Sequence, residues 1–150
     1  MKFLCDQMLG TLAKWLRIYG YDTFYANSEM DDSKLLGISK NENCVLITRD
    51  KNLIQTAQKE KIKTIDIKTT DIDEQIKIII SNFKINKAKI LSRCILCNNK
   101  IEEIKKIDVK GKVPERIYDF NKKFWFCKKC NKIYWQGSHY QKMFEKINKI

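Results

Sequence analysis

A chain of 150 residues suits one domain, or a small domain with a smaller satellite. It carries 30 Lys and Arg against 18 Asp and Glu, a formal net charge of +12. No apolar run approaches the roughly 20 residues of a membrane span, and the N-terminus lacks the basic-then-apolar pattern of a secretory leader. The expectation is a soluble, cytoplasmic protein with no membrane partner, in which six cysteines serve as thiols or metal ligands rather than disulfides.

In chain order, Lys2–Cys5 reads as a short buried strand ending on Asp6. Met8, Leu9, Leu12, Trp15, Leu16 and Tyr19 then recur at helical spacing and give one apolar face, and Gly20 is a helix stop. Asp22–Ala26 is a second strand, and Asp31 and Asp32 precede a helix running to about Lys40. Cys44–Thr48 (CVLIT) is a continuous apolar run, as in a strand covered on both faces, and Arg49-Asp50 follows it. A helix over Leu53–Gln58, a strand over Lys63–Ile67 and a helix over Asp71–Phe83 complete a βαβαβαβα pattern. That alternation predicts an α/β fold, a parallel sheet flanked by helices. With a flavodoxin-like strand order 2-1-3-4, Asp6 and Asp50 would flank the switch-point crevice where α/β proteins bind ligands.

The polar stretch Asn82–Lys89 reads as a linker, dividing the chain into a domain at 1–86 and a second at 90–150. Cys94-Ile-Leu-Cys97 and Cys127-Lys-Lys-Cys130 are two C-x-x-C knuckles with 29 residues between them. Four thiolates on two tight turns complete a tetrahedral shell and leave no position for water or substrate, which predicts a structural Zn²⁺ in a small four-cysteine zinc ribbon. A redox dithiol and an iron–sulfur cluster are the competing uses of such knuckles. Between them lie charged, weakly strand-like segments with the only proline, Pro114, and Gly137–Ile150 reads as a short helix. Cys5 and Cys44, inside predicted strands, read as buried core thiols.

Charge is unevenly placed. Residues 1–75 hold 11 basic and 12 acidic side chains, whereas residues 76–150 hold 19 and 6. That asymmetry points to a polyanion, nucleic acid before an acidic membrane surface, against the plainer reading of a lysine-rich solvated face. Arg93 ahead of the first knuckle, with Lys128 and Lys129 inside the second, forms a basic cluster. Phe124, Trp125, Phe126, Tyr134 and Trp135 interleave with the lysines, which suits either stacking on unpaired bases or covering the metal. His139 reads as a structural or RNA-contacting residue, since four cysteines already fill the zinc shell. Arg49, Lys14 and Arg17 read as solvated charges before phosphate contacts.

Asp6, Asp50 and one acid of the pair 31/32 are the candidates for a hard divalent ion, Mg²⁺ or Mn²⁺, which takes carboxylates together with water and phosphate oxygens. Asp32 is preferred to Asp31 because it stands three residues before Leu35, at the expected first turn. Asp73 is a candidate fourth acid, with Asp71 and Glu74 competing for the place. Aspartate also caps helices for its own sake, so each position has a purely structural reading. No GxxxxGK[ST], GxGxxG or Gx[SC]xG occurs, and a single histidine gives little support to nucleophile–histidine chemistry.

CDQMLGTLAKWLRIYGYDT, DDSKLLGIS, VLITRDKNL, SRCILC and CKKCNKIYWQGSHY, in that order, together resemble the Mut-seven C-terminal family. In that family a PIN-like ribonuclease domain is fused to a C-terminal zinc ribbon. The resemblance implies a PIN-like α/β fold and a metal-dependent endo- or exonuclease activity on RNA. The family's acidic positions fall on Asp6, Asp32 and Asp50. Arg93, Lys128, Lys129, Trp135 and His139 are then the candidate RNA contacts. Families of this kind include members that bind RNA without cutting it, so the rival expectation is a non-catalytic module for RNA or the ribosome.

Overall fold

The fold was described from a computed structural model covering residues 1–149, with His139 by its backbone alone. The chain packs as two compact units, Met1–Asn98 and Asn99–Ile150.

In the first unit, β1 (Lys2–Cys5), β2 (Asp22–Tyr25), β3 (Cys44–Thr48) and β4 (Thr64–Asp66) form a parallel sheet in the order β2-β1-β3-β4. This is the expected order. β3 is buried at all five positions, as its unbroken apolar run requires. The connecting helices are α1 (Gly10–Ile18), α2 (Asp32–Asn41), α3 (Lys51–Lys59) and α4 (Ile72–Asn82). Leu4 and Leu46 of the sheet pack with Leu35, Leu36, Leu53 and Ala57 of α2 and α3. Because strand side chains alternate, Phe3 faces the other way, and its ring meets Tyr21 and Phe83 edge-on at 5.1 Å each. α1 packs against α4. Among the described residues no helix is long and apolar enough to cross a membrane.

Met8 departs from the expected apolar face: it is 64% exposed. The Asp6 side chain accepts the Gln7 N–H and starts a 3-10 turn, Gln7–Leu9, before α1 begins. The tighter turn rotates Met8 out of the stripe that Leu12 and Leu16 continue. Arg17 also departs from its expectation as a solvated charge. It is 8% exposed, donating from Nε to the Thr23 carbonyl and from Nη1 to those of Ile95 and Leu96.

Gly20 ends α1 in a Schellman motif. It takes φ +90, the Tyr21 N–H donates to the Leu16 carbonyl, and its own N–H donates to that of Arg17. A Cβ there would stand 2.3 Å from the Lys89 carbonyl oxygen, because the segment after α4 lies directly over the turn. Gly20→Ala is therefore expected to cost at least about 2 kcal/mol, from the left-handed backbone and the displaced main chain together. Gly37, inside α2 with nothing within 4 Å of an added Cβ, makes the control. Gly37→Ala should stabilise by up to about 1 kcal/mol. Urea midpoints of the two variants moving the same way would refute this account.

The second unit holds an antiparallel sheet in the order β5-β6-β7: β5 (Glu102–Ile104), β6 (Phe124–Cys127) and β7 (Lys132–Tyr134). Phe124 is fully buried, with Tyr118 stacked on it at 6.4 Å. The expected terminal helix is present as α6, Ser138–Asn148. A helix that the weakly strand-like reading missed, α5 (Glu115–Phe120), follows Pro114, whose fixed φ suits a helix start.

Candidate functional site

Asp6 and Asp50 stand at the same end of the sheet because β1 and β3 are paired in register, Cys5 opposite Ile47. The Asp6 N–H donates to the Ile47 carbonyl at 3.0 Å. Thr48, fully buried, joins the two acids: its hydroxyl donates to Asp6 Oδ2 at 2.8 Å and accepts the Asp50 N–H at 3.0 Å. Asp50 caps α3, its Oδ1 accepting from the N–H groups of Asn52 and Leu53. Asp31 caps α2 in the same way, accepting from Lys34, which leaves Asp32 in the first turn. Burial, then the negative charges of Asp50, Asp6 and Asp31, hold the Asp32 carboxyl above its ordinary range. The charges of Asp6 and Asp50, far apart in sequence, thus both bear on Asp32.

Asp71 caps α4, Glu74 accepts from the Thr69 hydroxyl, and Asp73 lies in the first turn. Its charge bears on Tyr19, whereas the charges bearing on Asp32 are those of Asp50, Asp6 and Asp31. Arg49, next to Asp50, has a buried Nε without a hydrogen-bond partner among the described residues.

The Sγ atoms of Cys94, Cys97, Cys127 and Cys130 all lie within 4.8 Å of one another. Four sulfurs about 2.3 Å from a tetrahedral ion would stand about 3.8 Å apart, so the cluster needs only slight contraction to hold zinc. The Cys130 N–H donates to Cys127 Sγ at 3.4 Å, the outer support that knuckle sulfurs receive. Asn98 and Asn131, each following the second cysteine of a knuckle, take φ values of 69 and 56. Asparagine tolerates this left-handed turn, and the repeated C-x-x-C-N was a signal in the sequence that went unread.

Among the described residues, the cysteines are the only set of three or more Cys, His, Asp or Glu whose ligand atoms converge this closely. The carboxylates of Asp6, Asp32 and Asp50 form no such set among the described residues.

A profile of the Mut7-C RNAse domain matches residues 1–147. The chain belongs to the Mut7-C RNase domain family. Comparison with curated proteins gives no match. The family membership read from five sequence blocks therefore stands, and the Mut7-C chain has the expected α/β fold with a C-terminal four-cysteine cluster.

The expected RNA contacts of this Mut7-C chain have varied surroundings. Arg93 donates to the Asn98 carbonyl and lies 3.8 Å from Asp22, a bracing position. Lys128 pairs with Glu102 at 3.1 Å in the open, an interaction worth less than about 1 kcal/mol. Lys129 is exposed and Trp135 half-buried. The His139 side chain lies outside the described residues. Phe124 and Tyr134 are buried, whereas Trp125 and Phe126 retain exposed surface.

Proposed function

We propose that this protein is a metal-dependent ribonuclease whose basic second unit binds its substrate. The reading is supported above all by one arrangement: in a chain of an RNase domain family, the Thr48 hydroxyl links Asp6 to Asp50 at the carboxyl edge of the sheet, and the charges of both bear on Asp32. Asp6 and Asp50 are held rigid, one by Thr48 and the Gln7 N–H and the other by its cap. Asp32 meets their negative charge, which a divalent cation would neutralise. These three residues would hold Mg²⁺ or Mn²⁺, with Asp73 the candidate fourth acid. When bound, such an ion supplies Lewis acidity toward a phosphodiester and the water that attacks it.

Cys94, Cys97, Cys127 and Cys130 would hold a structural zinc. The second unit, with 14 basic against 6 acidic side chains, offers sequence-independent affinity that falls steeply with salt. Lys128, Lys129, Trp135 and His139 of this unit, with Arg93 of the first, are the proposed contacts.

One observation favours the non-catalytic reading, in which RNA or the ribosome is bound but not cut. Asp6, Asp31 and Asp50 all accept backbone N–H groups at helical starts, which is a sufficient structural role. A cleavage assay on labelled single-stranded RNA with added Mn²⁺ or Mg²⁺ separates the two. The ribonuclease cuts with either ion and Asp50→Asn does not; RNA bound but uncut by the wild-type chain with both ions would leave only the binding module.

A further inference from the structure

Ile104 of β5, Phe126 of β6 and Ile133 of β7 line one groove of about 500 Å³ on the second unit, with Lys112 and Asn131 completing the lining. The strand register builds it. Phe126 stands opposite Ile133, while Ile104 stands opposite Phe124, two residues from Phe126 on the same side of the sheet. The volume falls in the range of small-ligand pockets.

Among the described residues, none lining the groove is a carboxylate. Glu102, opposite Phe126 on β5, is ion-paired with Lys128 at 3.1 Å. The unit around it is strongly basic, so charge selects an anionic occupant. An extended peptide would seek an open strand edge and its main-chain hydrogen bonds. This groove lies on a sheet face and offers instead a flat ring between two branched side chains, one ammonium and one amide. Asn131 repeats the position that Asn98 holds after the first knuckle. The Asn98 amide is consumed by the Thr23 N–H and Asp22 Oδ1, whereas Asn131 lines the groove.

We propose that this groove takes one unpaired base of an RNA strand, stacked on Phe126, with Asn131 at the base edge and Lys112 at the adjoining phosphate. The proposal rests on the RNA-directed reading above and gives it a place distinct from the contacts named there. It is tested with the full-length, zinc-loaded protein and a fluorescent oligouridine of about ten nucleotides, by anisotropy without added Mg²⁺ or Mn²⁺. Phe126→Leu keeps the apolar bulk and loses the ring; it should weaken binding about tenfold, and Phe126→Trp should restore it. Lys112→Ala should weaken binding about threefold, against less than about twofold for Lys110→Ala, an exposed lysine outside the groove. Duplex RNA, whose bases are already stacked, should bind Phe126→Leu and wild type alike. Undiminished oligouridine binding by Phe126→Leu, equal losses from both lysines, or no binding by the wild type would overturn the assignment. Cleavage by the same wild-type preparation with Mn²⁺ reports separately on the ribonuclease reading, which survives an inert groove.

Discussion

Cys127→Ser is expected to unfold the second unit. Its strands are only three or four residues long, and its knuckle cysteine Cys127 is fully buried. A core of that size cannot offset the conformational entropy of its own residues. Structural zinc in comparable small modules is worth about 10–16 kcal/mol, so a zinc held by the four cysteines would supply most of what holds the unit together, and loss of Cys127 would remove it. Chelation should act alike, seen as lost dispersion in the amide proton spectrum of residues after Asn99. Alkylation by iodoacetamide at mildly alkaline pH gives an independent count. Burial pushes the Cys5 thiol up to about 12 and raises Cys44 as well, so neither forms the reactive thiolate in the folded chain. The zinc-loaded protein should therefore resist modification, and chelation should expose the four clustered cysteines and spare these two. Labelling of all six without a chelator would contradict both the metal and the burial.

Asp6→Asn and Asp32→Asn should both reduce metal-dependent RNA cleavage by on the order of a hundredfold or more, and should move stability in opposite directions. Asp6 accepts the Gln7 N–H at one carboxylate oxygen and the Thr48 hydroxyl at the other. An amide has a single oxygen, so one buried donor would face an NH₂, at a cost of about 1–3 kcal/mol. Asp32 makes the reverse case. Its carboxyl is held above the ordinary 3.8 by burial and by Asp50, Asp6 and Asp31, so the folded chain binds that proton more tightly than the unfolded chain. Stability then falls as pH rises past 3.8 and through the raised value. Asp32→Asn removes the penalty: without divalent ions it should melt higher than wild type at neutral pH, and the gain should vanish below the ordinary carboxylate range. Thermal melts that rise or fall together in the two variants would show that the three acids do not share a field.

The elements legible beforehand were those with a strong local signature. CVLIT could be little but a central strand, and βα alternation with the familiar order is enough to put Asp6 and Asp50 at the same end of neighbouring strands. What escaped was chemistry that depends on a neighbour. Thr48 closes an apolar run as one more β-branched residue, and only strand pairing shows its hydroxyl between two carboxylates. Arg17 sits on a helix like any solvated cation until Ile95 and Leu96 bring their carbonyls to it. Helical periodicity likewise could not tell that a capped 3-10 turn would expose Met8. Position in the sequence favours Asp32 over Asp31, whereas the cap, with Asp31 accepting the Lys34 N–H, becomes visible only once the helix start is known.

One of the two edge strands of the parallel sheet, β2, has the main-chain groups of Thr23 already taken, the N–H by Asn98 and the carbonyl by Arg17. A sheet margin with vacant donors and acceptors is a template onto which another chain can add a strand. Here two side chains impersonate that missing neighbour at Thr23, and should hinder another copy from templating at this margin. Asn98→Ala would lift half of the guard, and concentration-dependent light scattering is where the loss would surface.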